Sequence, residues 1–172
     1  SQPDKGTRFV VTIFLKLAGE DAREAGSCAG SPARQGEAFP PGTRLLLVED
    51  NDLNREIARE LLGMAGLEIA CAENGRQAVD LFAASAAGEY EAVLMDIQMP
   101  ELNGLDATRA IRALPRPDAA AVPIIAMTAN SFREDTEAAA EAGMTGFIPK
   151  PVDANYLYGV LRGALGRAAV KD

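Results

Sequence analysis

The sequence predicts a doubly wound α/β domain, a parallel five-stranded sheet flanked by helices, over residues 43–168. Three observations carry that prediction. Short apolar runs recur five times in about 126 residues, the spacing of successive βα units. Amphipathic stretches of helical length separate them. Asn, Gly, Ser and Pro punctuate the joins, where helices start and stop.

Each element follows from its own residues. Leu45-Leu46-Leu47-Val48 gives a strand at 44–48, followed by a helix at 52–64. A second strand at 68–72 runs into Asn74-Gly75, which opens a helix at 76–86. Ala92-Val93-Leu94-Met95 fills a third strand at 92–96, with a helix at 105–113 behind it. Pro123-Ile124-Ile125-Ala126-Met127 marks a fourth strand at 124–128. Ser131 and Glu134 then form a capping box for a helix at 132–142. Gly146-Phe147-Ile148-Pro149 gives the fifth strand at 146–149, and Asp153 caps the fifth helix at 153–166.

Residues 1–42 are of another kind. They carry five basic and five acidic side chains, whereas 43–168 carry 11 against 19, so the net charge of −8 belongs wholly to the second region. Arg8-Phe9-Val10-Val11-Thr12-Ile13-Phe14-Leu15 reads as a lone strand. Gly, Ala, Ser, Pro and Glu dominate 18–42, a linker composition.

Composition excludes several chemistries. With no histidine among 172 residues, Ser-His-Asp and Cys-His catalysis and His-containing zinc sites are ruled out. The acidic balance argues against nucleic acid or an anionic membrane as partner. No run approaches the ~20 apolar residues of a membrane span. Cys28 and Cys71 form no metal or disulfide pattern and read as free thiols in a cytoplasmic chain, with Cys71 in the core. Arg109, Arg112 and Arg116 read as a solvated basic face, and Met99 as loop packing.

The polar residues gather at one edge. The first strand ends in Glu49-Asp50, the third in Asp96, the fourth in Thr128 and the fifth in Lys150-Pro151. All lie at carboxyl ends of strands, where open α/β sheets bind ligands. Three carboxylates brought together repel unless a cation joins them. A hard, oxygen-seeking ion such as Mg²⁺ suits them. Beside it, an aspartate can attack phosphorus while an ammonium and a hydroxyl neutralise the phosphoryl oxygens.

In this order and spacing, Val48-Glu49-Asp50-Asn51, Met95-Asp96-Ile97-Gln98-Met99-Pro100, Gly104, Met127-Thr128-Ala129 and Phe147-Ile148-Pro149-Lys150-Pro151 resemble the receiver domain of two-component response regulators. The resemblance spans residues 43–168. It implies the flavodoxin-like strand order 2-1-3-4-5. It implies that Asp96 accepts a phosphoryl group with Lys150 and Thr128 assisting, and that Thr128 and Phe147 form a switch. Glu49, Asp50, Asp96 and the main-chain carbonyl of Gln98 would hold Mg²⁺, and the Lys150-Pro151 bond would be cis.

Asn51-Asp52-Leu53-Asn54-Arg55 is similar to receivers fused to hybrid sensor kinases. Lys5-Gly6-Thr7-Arg8-Phe9 and the strand after it are similar to the closing strand of a histidine-kinase ATPase domain. The expected organisation is therefore a terminal kinase strand at 1–17, a flexible linker at 18–42, the receiver at 43–168 and a tail at 169–172. This piece would have no kinase activity of its own. Its partners would be a kinase dimerisation domain and a histidine phosphotransfer protein, docking through Leu53, Asn54, Ile57 and Pro151. Two rivals stand beside this reading: a pseudo-receiver that only binds partners, and an aspartyl phosphatase of the haloacid dehalogenase type. The second wants an acid two residues after Asp96, where Gln98 stands.

Overall fold

A computed structural model describes residues 39–129 and 133–168. The expected terminal strand, most of the linker, Ser131 and the tail lie outside the described residues. Five strands form one parallel sheet: β1 (Arg44–Val48), β2 (Glu68–Ala72), β3 (Ala92–Asp96), β4 (Ile124–Thr128) and β5 (Gly146–Pro149), in the order β2-β1-β3-β4-β5. Six helices accompany them among the described residues: α1 (Asp52–Met64), α2 (Gly75–Ala84), α3 (Gly104–Arg112), α4 (Pro117–Ala121), α5 (Arg133–Ala142) and α6 (Ala154–Ala168).

Alternation along each inner strand sorts its side chains between two cores. Leu46, Val48, Val93, Met95, Ile124 and Ala126 face α2, α3 and α5, packing with Phe82, Ala107, Ile111 and Ala139. Leu45, Leu47, Leu94, Ile125, Met127 and Ile148 face the other way, against Ala58 and Leu62 of α1 and Leu157 and Leu161 of α6. Both faces are covered, so β1, β3 and β4 are apolar along nearly their whole length, as buried parallel strands must be. Each fully buried leucine contributes about 2 kcal/mol of transfer free energy.

The helix starts obey local rules. Asn51, Asn74 and Asn103 cap α1, α2 and α3, their side chains accepting from Asn54, Gln77 and Asp106 N–H respectively. Asp153 accepts from the Tyr156 N–H at 2.9 Å at the start of α6.

Four features differ from the sequence reading. Among the described residues there are six helices rather than five: α4 is a five-residue helix with Pro117 at its first position. It is too short to show a period, yet Ala119 on it is fully buried. Arg116 and Arg112 are not a solvated face. Arg116 donates to the Ser85 and Ala86 carbonyls at 2.9 Å, lies 4.7 Å over the Phe82 ring and pairs with Asp118 at 2.7 Å. Arg112 donates to Gly143 and Ala119 carbonyls. Both guanidiniums bind carbonyls at helix ends, where unpaired acceptors cluster. Cys71 packs against the α1–α6 core as expected but is only partly buried, on the edge strand β2.

Phe39, inside the stretch read as linker, is buried among the α1–α6 core residues. Its ring meets Tyr158 edge-on at 6.3 Å, with the Arg162 guanidinium 5.5 Å above it. Tyr158 in turn donates its hydroxyl to the Leu61 carbonyl at 2.7 Å, tying α6 to α1.

Candidate functional site

Parallel pairing in register brings the four strand ends to one edge. Val48 lies opposite Met95, Asp96 opposite Met127, and Thr128 opposite Pro149. Glu49, Asp96, Thr128 and Lys150 therefore share one crevice, with Asp50 at its rim. Glu49, Asp96 and Thr128 are buried, at 2%, 5% and 6% exposure, while Asp50 is exposed.

Lys150 bridges two of the acids. Its Nζ lies 2.7 Å from Asp96 Oδ2 and 2.6 Å from Glu49 Oε2. The main-chain N–H of Gln98 donates to the other Asp96 oxygen at 3.2 Å. The Lys150 N–H donates to the Thr128 carbonyl at 2.8 Å, holding the last turn of chain against β4. The Lys150-Pro151 bond is cis, as expected.

Burial pushes the Asp96 carboxyl above its ordinary range, and the Lys150 bond only partly offsets this. Burial pulls Lys150 down, but its bonds to Asp96 and Glu49 outweigh that and hold it above its ordinary value. Lys150 is thus a firmly charged ammonium.

Carboxylate oxygens of Glu49, Asp50 and Asp96 lie within 4.8 Å of one another. Among the described residues three acidic side chains meet there with one ammonium, that of Lys150, so acids outnumber cations. That hard-oxygen donor set and unbalanced charge fit a divalent cation of the Mg²⁺ class.

The β3–α3 loop is set by close backbone approach. A Cβ on Gly104 would sit 2.0 Å from the Asp96 carbonyl oxygen, and one on Gly75 2.3 Å from that of Leu102. Glu101 adopts φ +64, the left-handed region that non-glycine residues seldom occupy. Sequence reading found Gly104 only as a motif position and Gly75 only as a helix opening, and did not single out Glu101. No periodicity signals a close approach.

The expected docking residues divide. Leu53 and Ile57 lie at 68% and 46% exposure on α1, and Pro151 is exposed. Asn54 is exposed too, but its amide Nδ2 donates to Glu49 Oε1 at 3.0 Å, which ties it to the acidic cluster. Arg55, not singled out by sequence, donates to the Glu49 carbonyl at 2.8 Å. Phe147, at 41% exposure, lines an open cavity of about 190 Å³ with Thr136, Ala139 and Met144.

Residues 45–162 match the response regulator receiver domain family. Hybrid signal transduction histidine kinase I of Dictyostelium discoideum is 36% identical over 138 residues, 79% of this chain and 8% of that protein. The Escherichia coli aerobic respiration control sensor protein is 32% identical over 163 residues, 94% of this chain and 19% of that protein. The chain thus spans less than a fifth of the length of these relatives. Among solved structures, a sensor histidine kinase receiver domain from Pseudomonas aeruginosa, with a magnesium ion coordinated in its active-site cleft, is 37% identical. It superposes with a TM-score of 0.66, covering 73% of this chain and 98% of that one. The receiver domain of Ssk1, crystallised with the Saccharomyces cerevisiae phosphotransfer protein Ypd1, is 26% identical. Its TM-score is 0.68, covering 79% of this chain and 97% of that one. No helix of the described residues is long and apolar enough to cross a membrane.

Proposed function

Because the chain belongs to the response regulator receiver domain family, we propose that it is a phosphorelay station whose Asp96 accepts a phosphoryl group from a phosphohistidine and yields it to another histidine. The observation that carries this reading is Lys150 bridging Asp96 and Glu49 at a strand edge that also holds Asp50.

An Asp96 carboxylate oxygen forms the new bond to phosphorus as the phosphorus–nitrogen bond to the donor imidazole breaks. The bonding pair leaves with the imidazole nitrogen. The transferring group carries its charge on three oxygens, and neutralising that charge is the main catalytic requirement. Lys150 is within reach of Asp96 and supplies a fixed positive charge. Thr128, one strand over and in register with Pro149, supplies a hydroxyl to a phosphoryl oxygen. Mg²⁺, held by Glu49, Asp50, Asp96 and the Gln98 carbonyl, would add charge neutralisation where phosphate enters. Phe147, on the strand next to that of Thr128 and opposite Ala126, lines a cavity with space for its ring to repack, which supports a switch role. Together Thr128 and Phe147 are the switch that reports phosphorylation.

The parent protein on this reading is a hybrid sensor histidine kinase acting in the cytoplasm. The likeness to hybrid-kinase receivers supports it. The Ypd1 complex of a similar receiver supports a histidine phosphotransfer partner. Leu53 and Ile57 are an exposed apolar pair that such a partner would cover, on α1, the helix that follows the acidic end of β1. Both partners must bring the histidine, since this chain has none.

Incubation with acetyl phosphate tests the acceptor. With Mg²⁺, intact mass should rise by roughly 80 Da, one HPO₃, on an aspartyl site. Without Mg²⁺, or in Asp96→Asn, the increment should vanish. Full labelling of Asp96→Asn contradicts the assignment, and no labelling of wild type under any donor points to a partner-binding pseudo-receiver.

A further inference from the structure

We propose that Asn54, supported by Arg55, is a positioning residue that holds the Glu49 carboxylate in its cation-binding pose and so sets the affinity of the site for Mg²⁺. The inference rests on the reading of Glu49 as a ligand.

A glutamate side chain has three rotatable bonds, and a ligand that must be found among many rotamers binds weakly. Here both Glu49 oxygens are fixed. A carboxylate oxygen only accepts, so the Asn54 amide nitrogen faces Oε1, at 3.0 Å. Lys150 Nζ holds Oε2 at 2.6 Å from the far side of the crevice. Lys150 is also bonded to Asp96, so it is shared between two groups that a divalent cation would draw upon. Among the described acids Asn54 Nδ2 is bonded to Glu49 alone, so its hold on Glu49 is not shared with Asp96.

The main chain beneath is fixed as well. The Arg55 guanidinium donates to the Glu49 carbonyl at 2.8 Å, pairs with Asp52 and reaches Glu73, after β2, at 3.6 Å. It ties the loop after β1 to the loop after β2. The Asn51 cap, which accepts from the Asn54 N–H at 3.1 Å, fixes the first turn of α1. One helical step from the outward Leu53, the Asn54 side chain is thereby carried over Glu49.

Hydrogen bonds that orient metal ligands are worth 10–100-fold in affinity when removed. The test is calorimetric titration of the 172-residue chain with Mg²⁺ alone, no phosphoryl donor present. Asn54→Leu keeps the side-chain size and removes the donor. It should raise the Kd about 10–100-fold, with a smaller rise in Arg55→Met. Met64→Ala, at the far end of α1 and 80% exposed, should bind as wild type. Melting temperatures show that each variant is folded. Should Asn54→Leu fail to fold, Asn54→Ala takes its place with the same expectation.

Glu49→Gln separates the two claims. If it binds Mg²⁺ as tightly as wild type, Glu49 is no ligand and the site reading fails with the inference. If Glu49→Gln loses affinity while Asn54→Leu stays within about twofold of wild type, the site stands and the positioning role is overturned. Asn54 would then act only in docking, which leaves the metal Kd untouched.

Discussion

Gly104→Ala should both destabilise the domain and slow its phosphorylation. The added Cβ would lie 2.0 Å from the Asp96 carbonyl oxygen and 2.9 Å from its carbon, where real Cβ atoms do not come within 3.0 Å. The obstacle is backbone, so α3 and the end of β3 must separate by about 1 Å. Overpacking of this kind costs about 1–3 kcal/mol. Stretching the Gly104 N–H bond to the Ile97 carbonyl, now 3.0 Å, adds about 1 kcal/mol. Alanine's helix preference returns at most about 1 kcal/mol. A net loss of about 1–4 kcal/mol corresponds to a melting temperature lower by about 4–15 °C for a domain of this size. The same displacement acts on the main chain of Asp96, and misplacement by about 1 Å can cost on the order of 100-fold in rate. Thermal melts by circular dichroism and acetyl phosphate labelling read the two effects. Gly63→Ala is the control, since nothing lies within 4 Å of its added Cβ and alanine should stabilise α1 by about 0.5–1 kcal/mol. Equal melting and labelling of Gly104→Ala and wild type would refute the close-approach argument.

Three further outcomes follow from other parts of the fold. The Arg116 guanidinium beside Asp118 holds its carboxyl down at about 2. A depressed carboxyl contributes stability above its unfolded value near 3.8 and loses it as pH falls toward 2. Asp118→Asn should therefore melt lower than wild type at neutral pH, and the gap should close between about pH 4 and 2. A chain starting at Thr43 should be less stable than one starting at Phe39 by about 3 kcal/mol in urea unfolding, the cost of removing a buried phenyl ring; equal midpoints would place Phe39 outside the core. Ile57→Asp should slow transfer from a histidine donor far more than labelling by acetyl phosphate, and a parallel loss in both would make Ile57 structural.

The strands were legible because burial on both faces forces nearly unbroken apolar runs, and all five occur at the predicted bounds. The crevice was legible for the related reason that an apolar run must stop where the sheet meets water. Glu49, Asp96, Thr128 and Lys150 mark those stops. What sequence did not carry is contact between elements distant in the chain. Phe39 is one aromatic in an aperiodic stretch, and only the groove between α1 and α6 gives it a partner. Arg116 looks like any surface cation until the end of α2 presents its carbonyls. Asn54 sits among helix-surface residues, and its bond to Glu49 depends on the rotation fixed by the Asn51 cap.

The central claim, that Asp96 takes phosphate from histidine, is tested most directly by transfer from a purified phosphotransfer domain carrying radiolabelled phosphohistidine. Mixed with wild type and Mg²⁺, the label should move to this histidine-free chain and sit in an acyl linkage cleaved by hydroxylamine. With Asp96→Asn it should stay on the donor. Label on Asp96→Asn, or hydroxylamine-stable label on wild type, would contradict the account.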